Sequence, residues 1–536
     1  MKENRLIMTT PLPLITALAR AGALEQASRL FEEGGYFQAH DNPAALAVKG
    51  RLLKDRALAV RDAGGERGAL LAEAASAYAA ADALDPQPYL LINVATLAFL
   101  GGDAARARGV AGEALERLEA PDLAETPYWI AATRAEALLL RGNVEAANEA
   151  LTKAIKLNRD GWSDHASTLR QLSLICAAGG IDAGWLDVHR PRPSLHFAGH
   201  LGIAPDNSAG LADEVAIVLA EERIGFGYGA LAAGADIIIA EALIAKGAAL
   251  HVILPTSQEA FVLQSVIPYG NAWLPRFEAC IAAAASVRCV SAVAGEYEPL
   301  ATALAGDVAM GMARRNAAML QSHSLQLLIV DEGEGDYGNG SSTARDGVVW
   351  TRTGAAQRKL VWPRTGAVPP SSEKREGRAD RRLMALLHVR FDGLDVCQEA
   401  AFAYAIDEGI TAFWGEAKAL GPIINQPHGN ARIFGFVSFT AAANFAAALA
   451  KADPGLGYPL TISGHYGLIH LIGGEASGPA LGTLTAIARA TMAGTVTISD
   501  EFAAALSLGR GNVRTQAIGE CQTPSGEAMA LYGLSL

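Results

Sequence analysis

The sequence predicts a multi-domain protein: an all-α helical-repeat region, then an α/β region built on a parallel sheet, then an α+β region. Three observations carry this reading. The chain has 536 residues, well beyond one ordinary core at roughly 150 residues per domain. Its apolar periodicity changes from helical spacing to short strand-like runs near Pro191. Further on, TGAVPPSSEKREGRADRR is Pro-rich, then Ser-rich, then charged, with no apolar face, and reads as a linker. The expected boundaries are residues 1–185 for the helical region, 190–365 for the α/β region, 366–383 for the linker and 384–536 for the α+β region.

Composition removes several function classes. Apolar residues make up 51% and charged residues 19% of the chain, enough for buried cores and too little charge for general disorder. The formal charge of −12, with one basic cluster from Lys374 to Arg382, argues against a nucleic-acid partner. The cysteines (Cys176, Cys280, Cys289, Cys397, Cys521) are scattered, with no CxxC and no histidine partner spacing, so neither a disulfide framework nor a metal site is expected. The opening MKENRLIMTTPLPLITALARAG lacks a long apolar core before a cleavage site, and every long apolar run elsewhere is broken by charge or glycine. A cytoplasmic protein with no membrane partner is expected.

The helical region runs from about Ala23 to Gly180, rich in Ala and Leu at helical spacing with glycines between segments. Two segments superimpose: PYLLINVATLAFLGGDAARARGVAGEALERL from Pro88 and PYWIAATRAEALLLRGNVEAANEALTKAIKL from Pro127, with Gly102 and Gly142 at equivalent turns. The offset is about 40 residues, longer than the roughly 34 of a standard tetratricopeptide unit. Small residues after each turn (Ala105, Ala107; Ala146, Ala147) allow close helix approach. The region resembles a tetratricopeptide-type solenoid, which implies a protein partner bound through the repeats.

In the middle region SLHFAGH, RIGFGYG, ALHVILP, ASVRCVSAV and LQLLIVDEG alternate with helical stretches, the pattern of a parallel, Rossmann-like layer. RIGFGYG leads through Gly225, Gly227 and Gly229 into a helix whose N-terminus would hold an anion above the sheet edge. The spacing is not GxGxxG, since the next glycine is Gly234, so an ordinary dinucleotide dehydrogenase is disfavoured. Along that helix Leu231, Ala235, Ile238, Ala242 and Ala245 form the packing stripe, and Asp236 and Glu241 lie off it. HFAGH ends a strand on Gly199 and His200, and VDEGEGDYGNGSSTARD puts Asp331 at another strand end.

This order of motifs, continued by Trp273, Arg276 and Phe277, resembles the SLOG superfamily. Its members include LOG-type nucleoside phosphoribohydrolases and DprA-like proteins, with a Rossmann-like fold that binds nucleotides or nucleotide-derived ligands. The resemblance implies a nucleotide pocket lined by Gly199, His200, Gly227, Gly229, Gly234, Asp236 and Glu241, near Asp331, with Ser341, Ser342 and Thr343 as phosphate donors. The hydrolytic branch carries PGGxGTxxE. Here GNGSSTARD has Asn339 and Ser342 in place of glycines and Asp346 in place of the glutamate. Binding is therefore expected with no further cofactor required, and the catalytic candidates Glu241 and Asp346 belong to the alternative reading, an N-glycosidic hydrolase acting on a nucleotide or NAD.

In the last region LHVRFDGLD, HGNARIFGFVSFTAAANFAAALA, LTISGHYGLIHLI and MAGTVTISDEFAAAL resemble, in order, the landmarks of class III adenylate/guanylate cyclase domains, which have a ferredoxin-like core. Those enzymes use two aspartates to hold two metal ions. The matching positions carry Arg390 and Asn430, and the transition-state positions fall near Gly482 and Ala486. A guanidinium repels a divalent cation and an amide is a poor carboxylate substitute. Asp392 is the alternative ligand, two residues along the same strand face. The resemblance implies a catalytically lapsed domain serving in homodimerisation or sensing. The expected whole is a signalling or regulatory protein.

Overall fold

The computed structural model describes residues 11–20, 24–60, 65–291, 299–331, 342–365, 380–394, 397, 399–405, 409–452, 457–509 and 514–535. The chain divides into two compact units, one from Met1 to Pro191 with Met319–Gln321, the other made of Arg192–Ala318 and Ser322–Leu536.

The first unit is helical: α1 Leu12–Arg20, α2 Leu24–Glu33, α3 Pro43–Ala59, α4 Glu66–Leu84, α5 Pro88–Leu100, α6 Ala104–Arg117, α7 Pro127–Leu140, α8 Val144–Leu157 and α9 Trp162–Gly179. Consecutive helices pack in pairs, α3 on α4, α5 on α6 and α7 on α8. The turns at Gly102 and Gly142 have φ of 91° and 85°, a left-handed conformation that favours glycine. The residue after each turn caps the next helix, Asp103 accepting from the Arg106 amide and Asn143 from the Ala146 amide. The odd-numbered helices are also tied by polar side chains. Lys54 of α3 donates to Asn93 of α5 and Gln171 of α9, and Gln171 donates to Glu136 of α7. Helical-repeat architecture follows from these pairs.

The second unit holds two sheets. The first has strands β1 Ser194–Gly199, β2 Phe226–Gly229, β3 Ala249–Leu254, β4 Ser286–Cys289, β5 Ser324–Val330 and β6 Ala356–Val361, all parallel, in the order β4-β3-β2-β1-β5-β6. Between them run α10 Ala209–Glu221, α11 Ala235–Ala245, α12 Gln258–Ser265, α13 Trp273–Ala283, α14 Pro299–Met319 and α15 Ser342–Thr351. The strand order reverses between β1 and β5, which opens a crevice at their carboxyl ends.

The second sheet comprises β7 Arg381–Phe391, β8 Ile424–His428, β9 Ala431–Phe436, β10 Leu460–Ile472, β11 Glu475–Ser477, β12 Val496–Ser499, β13 Arg514–Gln522 and β14 Ala528–Ser535. Its order is β13-β14-β12-β10-β7-β9-β8, with β11 on β10. It is antiparallel except where β10 and β12 run parallel. Helices α16 Glu399–Ala405, α17 Thr411–Ala419, α18 Phe439–Lys451, α19 Pro479–Ala490 and α20 Asp500–Leu506 accompany it, and α19 makes the crossover from β10 to β12.

The two sheets share one core. Tyr228 and Ile253 of the parallel sheet, Leu304, Val308 and Met310 of α14, Trp350 of α15 and Phe434, Tyr466 and Phe502 of the C-terminal part belong to a single buried cluster. Helix α14 is buried on most of its circumference, as a helix between two layers must be. A side chain at Gly311 of α14 would strike the backbone carbonyl of Ala504 in α20. Charge reinforces the packing. Asp500 pairs with Arg288 of β4 and Arg315 of α14, and Arg315 also lies 4.3 Å from the Tyr532 ring centre. Burial pulls the Asp500 carboxyl up, but Arg315 and Arg288 outweigh it and its pKa ends below the usual value.

Candidate functional site at the carboxyl edge of the parallel sheet

A partly open cavity of about 130 Å³ lies at the carboxyl ends of β1, β2 and β3, bordered also by α12, α14 and the start of α15. A dry cavity of ~150 Å³ accepts a benzene ring, so the space suits a single ring. Its walls combine apolar surface (Phe197, Ile253, Phe261, Ala305) with two carboxylates, Asp236 and Asp346, and the ring of His196.

Asp236 is the second residue of α11, which starts after Gly234 at φ 104°. Its Oδ1 accepts from the Gly199 amide at 2.9 Å and its Oδ2 from the Ala232 amide at 3.2 Å, so one carboxylate ties the end of β1 to the loop entering α11. Burial pushes its pKa up to about 7, against the pull of those two amides.

Asp346 faces the cavity from α15 and is likewise pushed up to about 7, mainly by burial, with Arg345 pulling down and Asp307 pushing up. Arg345 is shared: it bonds both carboxylate oxygens of Asp307 at 2.8 and 2.9 Å and one of Asp346 at 3.0 Å. The Asp346 carboxylate lies against Gly306 of α14, where a Cβ would come within 2.6 Å of it. Both carboxyls therefore titrate near neutrality, the range useful for proton transfer.

Beneath them His196 of β1 stacks on Trp350 with ring centres 5.9 Å apart, and its Nδ1 accepts from Gln326 Nε2 at 3.0 Å. The ring proton then sits on Nε2. Burial lowers the His196 pKa to about 3, so the ring is neutral. Gln326 is held in turn by Gln357 at 2.6 Å and donates to the Asp346 carbonyl at 3.3 Å.

Of the residues the sequence points to, Gly199, Gly229, Asp236, Ser342, Thr343 and Asp346 line the cavity. Thr343 Oγ1 donates to the Gly199 carbonyl at 3.2 Å, joining the start of α15 to the end of β1. Others stand apart from the lining. His200 is buried with its ring nitrogens against the carbonyls of Leu201 and Trp362. Gly227 sits in β2, where it lets Leu243 pack against the strand. Glu241 is in a two-pronged ion pair with Arg276, at 2.7 and 2.5 Å, on the half-exposed outer side of α11. Asp331 pairs with Arg364 at 3.2 Å. Ser341, with residues 332–340 before it, lies outside the described residues. Sequence reasoning missed His196, Gln326, Asp307 and Arg345. The polar residues inside otherwise apolar β1, β5 and α14 were the available signal, because an apolar run tolerates a buried polar group only with a partner.

In the second sheet, register sets Arg390 of β7 opposite Ala431, next to Asn430 in the turn joining β8 and β9. Arg390 bonds Asp392 at 2.8 Å and the carbonyl of Ala488 at 2.6 Å, near the end of α19. The other oxygen of Asp392 accepts from Thr461. The Arg390 guanidinium thus engages the neighbouring Asp392 carboxylate. Gly482 and Ala486 lie on α19, where Pro524 borders Gly482. Among the described residues no group of three or more His, Cys, Asp or Glu is arranged to hold a metal ion, and no helix is long and apolar enough to cross a membrane.

The family Tetratricopeptide Repeats-Sensor matches residues 13–98, which contain α2, α3 and α4. A search of curated proteins finds no match. Among solved structures, similarity is weak and includes class III cyclases. The catalytic core of a rhodopsin-guanylyl cyclase with converted specificity, in complex with ATPαS, shares 15% identity, with 29% of this chain and 95% of that one covered and a TM-score of 0.26. The adenylate/guanylate cyclase/hydrolase from Silicibacter pomeroyi shares 18% identity over 30% of this chain and 99% of that one, with a TM-score of 0.25. An O-GlcNAc transferase mutant from Thermobaculum terrenum shares 12% identity over 67% of this chain and 76% of that one, with a TM-score of 0.17.

Proposed function

We propose that the parallel-sheet region is a SLOG-like, Rossmann-like module that binds a nucleotide or nucleotide-derived molecule, within a signalling or regulatory protein. The observation that carries this is the cavity at the carboxyl ends of β1 to β3, beside the strand-order reversal, where Gly199, Asp236, Ser342 and Thr343 meet. Crevices of this kind are where open α/β sheets take ligands. The helical repeats recruit a protein partner. The C-terminal region is a lapsed cyclase-homology domain that dimerises or senses, with Arg390 standing where a metal ligand is needed.

Native mass spectrometry of the full chain with AMP, NAD, ADP-ribose and cyclic AMP tests this reading: a stoichiometric complex with at least one of them is expected, and no complex with any removes it. A second reading, cleavage of an N-glycosidic bond, is favoured by Asp346, a cavity carboxyl raised to about 7. In that reading Asp346 assists departure of the base. Product formation from NAD or AMP that Asp346→Asn abolishes would establish it, and bound but unchanged nucleotide would leave binding alone.

A further inference from the structure

Asp346, a wall of the cavity, is linked by side chains to the C-terminal sheet. Arg345 bridges Asp346 and Asp307, and the other end of the bridge is not in the parallel-sheet region. Tyr466 of β10 donates its hydroxyl proton to Asp307 Oδ2 at 3.0 Å. Asp307 is 3% exposed and Tyr466 4% exposed, so neither has water to replace the other. The same helix that carries Asp307 carries Gly306, which abuts the Asp346 carboxylate, and Gly311, which abuts α20. Helix α14 therefore touches the cavity and the C-terminal part on neighbouring turns.

We infer that Tyr466 is a positioning residue for the cavity: through Asp307 and Arg345 it sets the placement of the Asp346 carboxylate, so that occupancy of the cavity and packing of the C-terminal sheet are linked. The proposed link works through a second arrangement of Arg345 beside the one seen here. Arg345 can serve both aspartates, as it does here, or turn wholly to one of them. A ligand group that takes hydrogen bonds from Arg345 or gives one to Asp346 shifts this balance, and with it the strength with which Asp307 accepts from Tyr466. The linkage is reciprocal, because a coupling free energy between two sites acts in both directions. A route through packed, hydrogen-bonded side chains of one buried cluster is the physical form such coupling takes. The part that concerns a bound molecule rests on the nucleotide reading above; the link between Tyr466 and Asp346 does not.

The test is hydrogen exchange of the full chain, read by mass spectrometry, for Tyr466→Phe and Asp346→Asn. Phenylalanine keeps the buried ring and removes one hydroxyl. The expected result is about fivefold faster exchange in α15 for Tyr466→Phe, the factor that loss of one buried hydrogen bond gives, and altered exchange in β10 for Asp346→Asn. Changes confined to β10 and its paired strands in the first variant, with β10 unmoved in the second, overturn the inference.

A second readout excludes a merely structural role. The groups facing Asp346 are Arg345 on its own helix, Asp307 on α14 and Asp236 on α11. Asp307→Asn removes a negative neighbour and leaves Arg345 to Asp346 alone, so the Asp346 pKa read by carboxyl carbon NMR falls; an unmoved value counts against the link. Adding AMP, NAD or ADP-ribose separates the two claims. Binding that leaves β10 exchange unchanged defeats the link and leaves the nucleotide reading intact. No binding, with α15 responding to Tyr466→Phe, defeats the nucleotide reading and leaves the link intact.

Discussion

The two sheets of the second unit treat a similar problem in opposite ways. At the edge of the parallel sheet, two buried carboxyls border open space, and neither is neutralised by a cation of its own: Asp236 rests on backbone amides and Asp346 shares Arg345 with Asp307. At the end of β7 in the C-terminal sheet, Arg390 supplies an internal cation, bonds Asp392 and closes on the α19 carbonyl of Ala488. One site has unsaturated chemistry facing a cavity, and the other has its charge balanced from within. Binding capacity is therefore expected in the first and structural service in the second.

The comparison depends on the shared core, so the largest effect comes from breaking it. Gly311→Val drives a side chain into the Ala504 carbonyl; a loss of about 3 kcal/mol is expected, measured by urea denaturation. A loss below about 0.5 kcal/mol would show that α14 does not hold the two sheets together.

Next is the filled site. Arg390→Ala leaves Asp392 and the Ala488 carbonyl without their partner, and about 2 kcal/mol of stability should go. Added Mg²⁺ or Mn²⁺ should neither restore it nor yield cyclic nucleotide from ATP. Metal-dependent recovery would mean that the position is a vacated metal site rather than a closed one.

The open site predicts a pH dependence of defined sign. Asp236 and Asp346 have folded pKa values of about 7, above the usual carboxyl value of 3.8. Between those limits the folded state holds more protons than the unfolded one, so stability falls as pH rises. Their contribution is fully present below about pH 4 and is lost as pH passes about 7. Thermal melts of the double variant Asp236→Asn, Asp346→Asn should lose that slope; an unchanged slope assigns it elsewhere.

The smallest effect belongs to Glu241. Its ion pair with Arg276 is partly exposed, so Glu241→Gln should cost about 0.5 kcal/mol and leave nucleotide affinity unchanged. A lost affinity would bring the outer face of α11 into the site.

These contrasts also show what the sequence could carry. Strand ends at Gly199, Gly229 and before Ser342 were legible because glycine, acid and small hydroxyl residues punctuate apolar runs, and the register of β1, β2 and β5 then gathers them. The helix pairs were legible from Gly102 and Gly142, where turn conformation and cap are both local. The shared core was not. PLATALAGDVAMGMARRNAAM of α14 has small residues on most sides, a sign of burial from all directions, but nothing in it names the second layer. Asp307 finds Tyr466 at 159 residues' distance, and no periodicity reports such a pairing. Glu241 shows the converse limit: the motif position is local, whereas its partner Arg276, 35 residues on, is set by how α11 meets α13.

The central claim is that the cavity beside Gly199, Asp236 and Ser342 holds a nucleotide-type ligand. Isothermal titration of AMP, NAD and ADP-ribose into the wild-type chain and into Ser342→Trp tests it most directly, since Ser342 is exposed yet borders the cavity, so that a bulky side chain can block entry without disturbing the core. Saturable binding to the wild type, weakened tenfold or more in the variant (about 1.4 kcal/mol or more), is the predicted result. Binding of equal strength in both proteins, or heat from neither, contradicts the account.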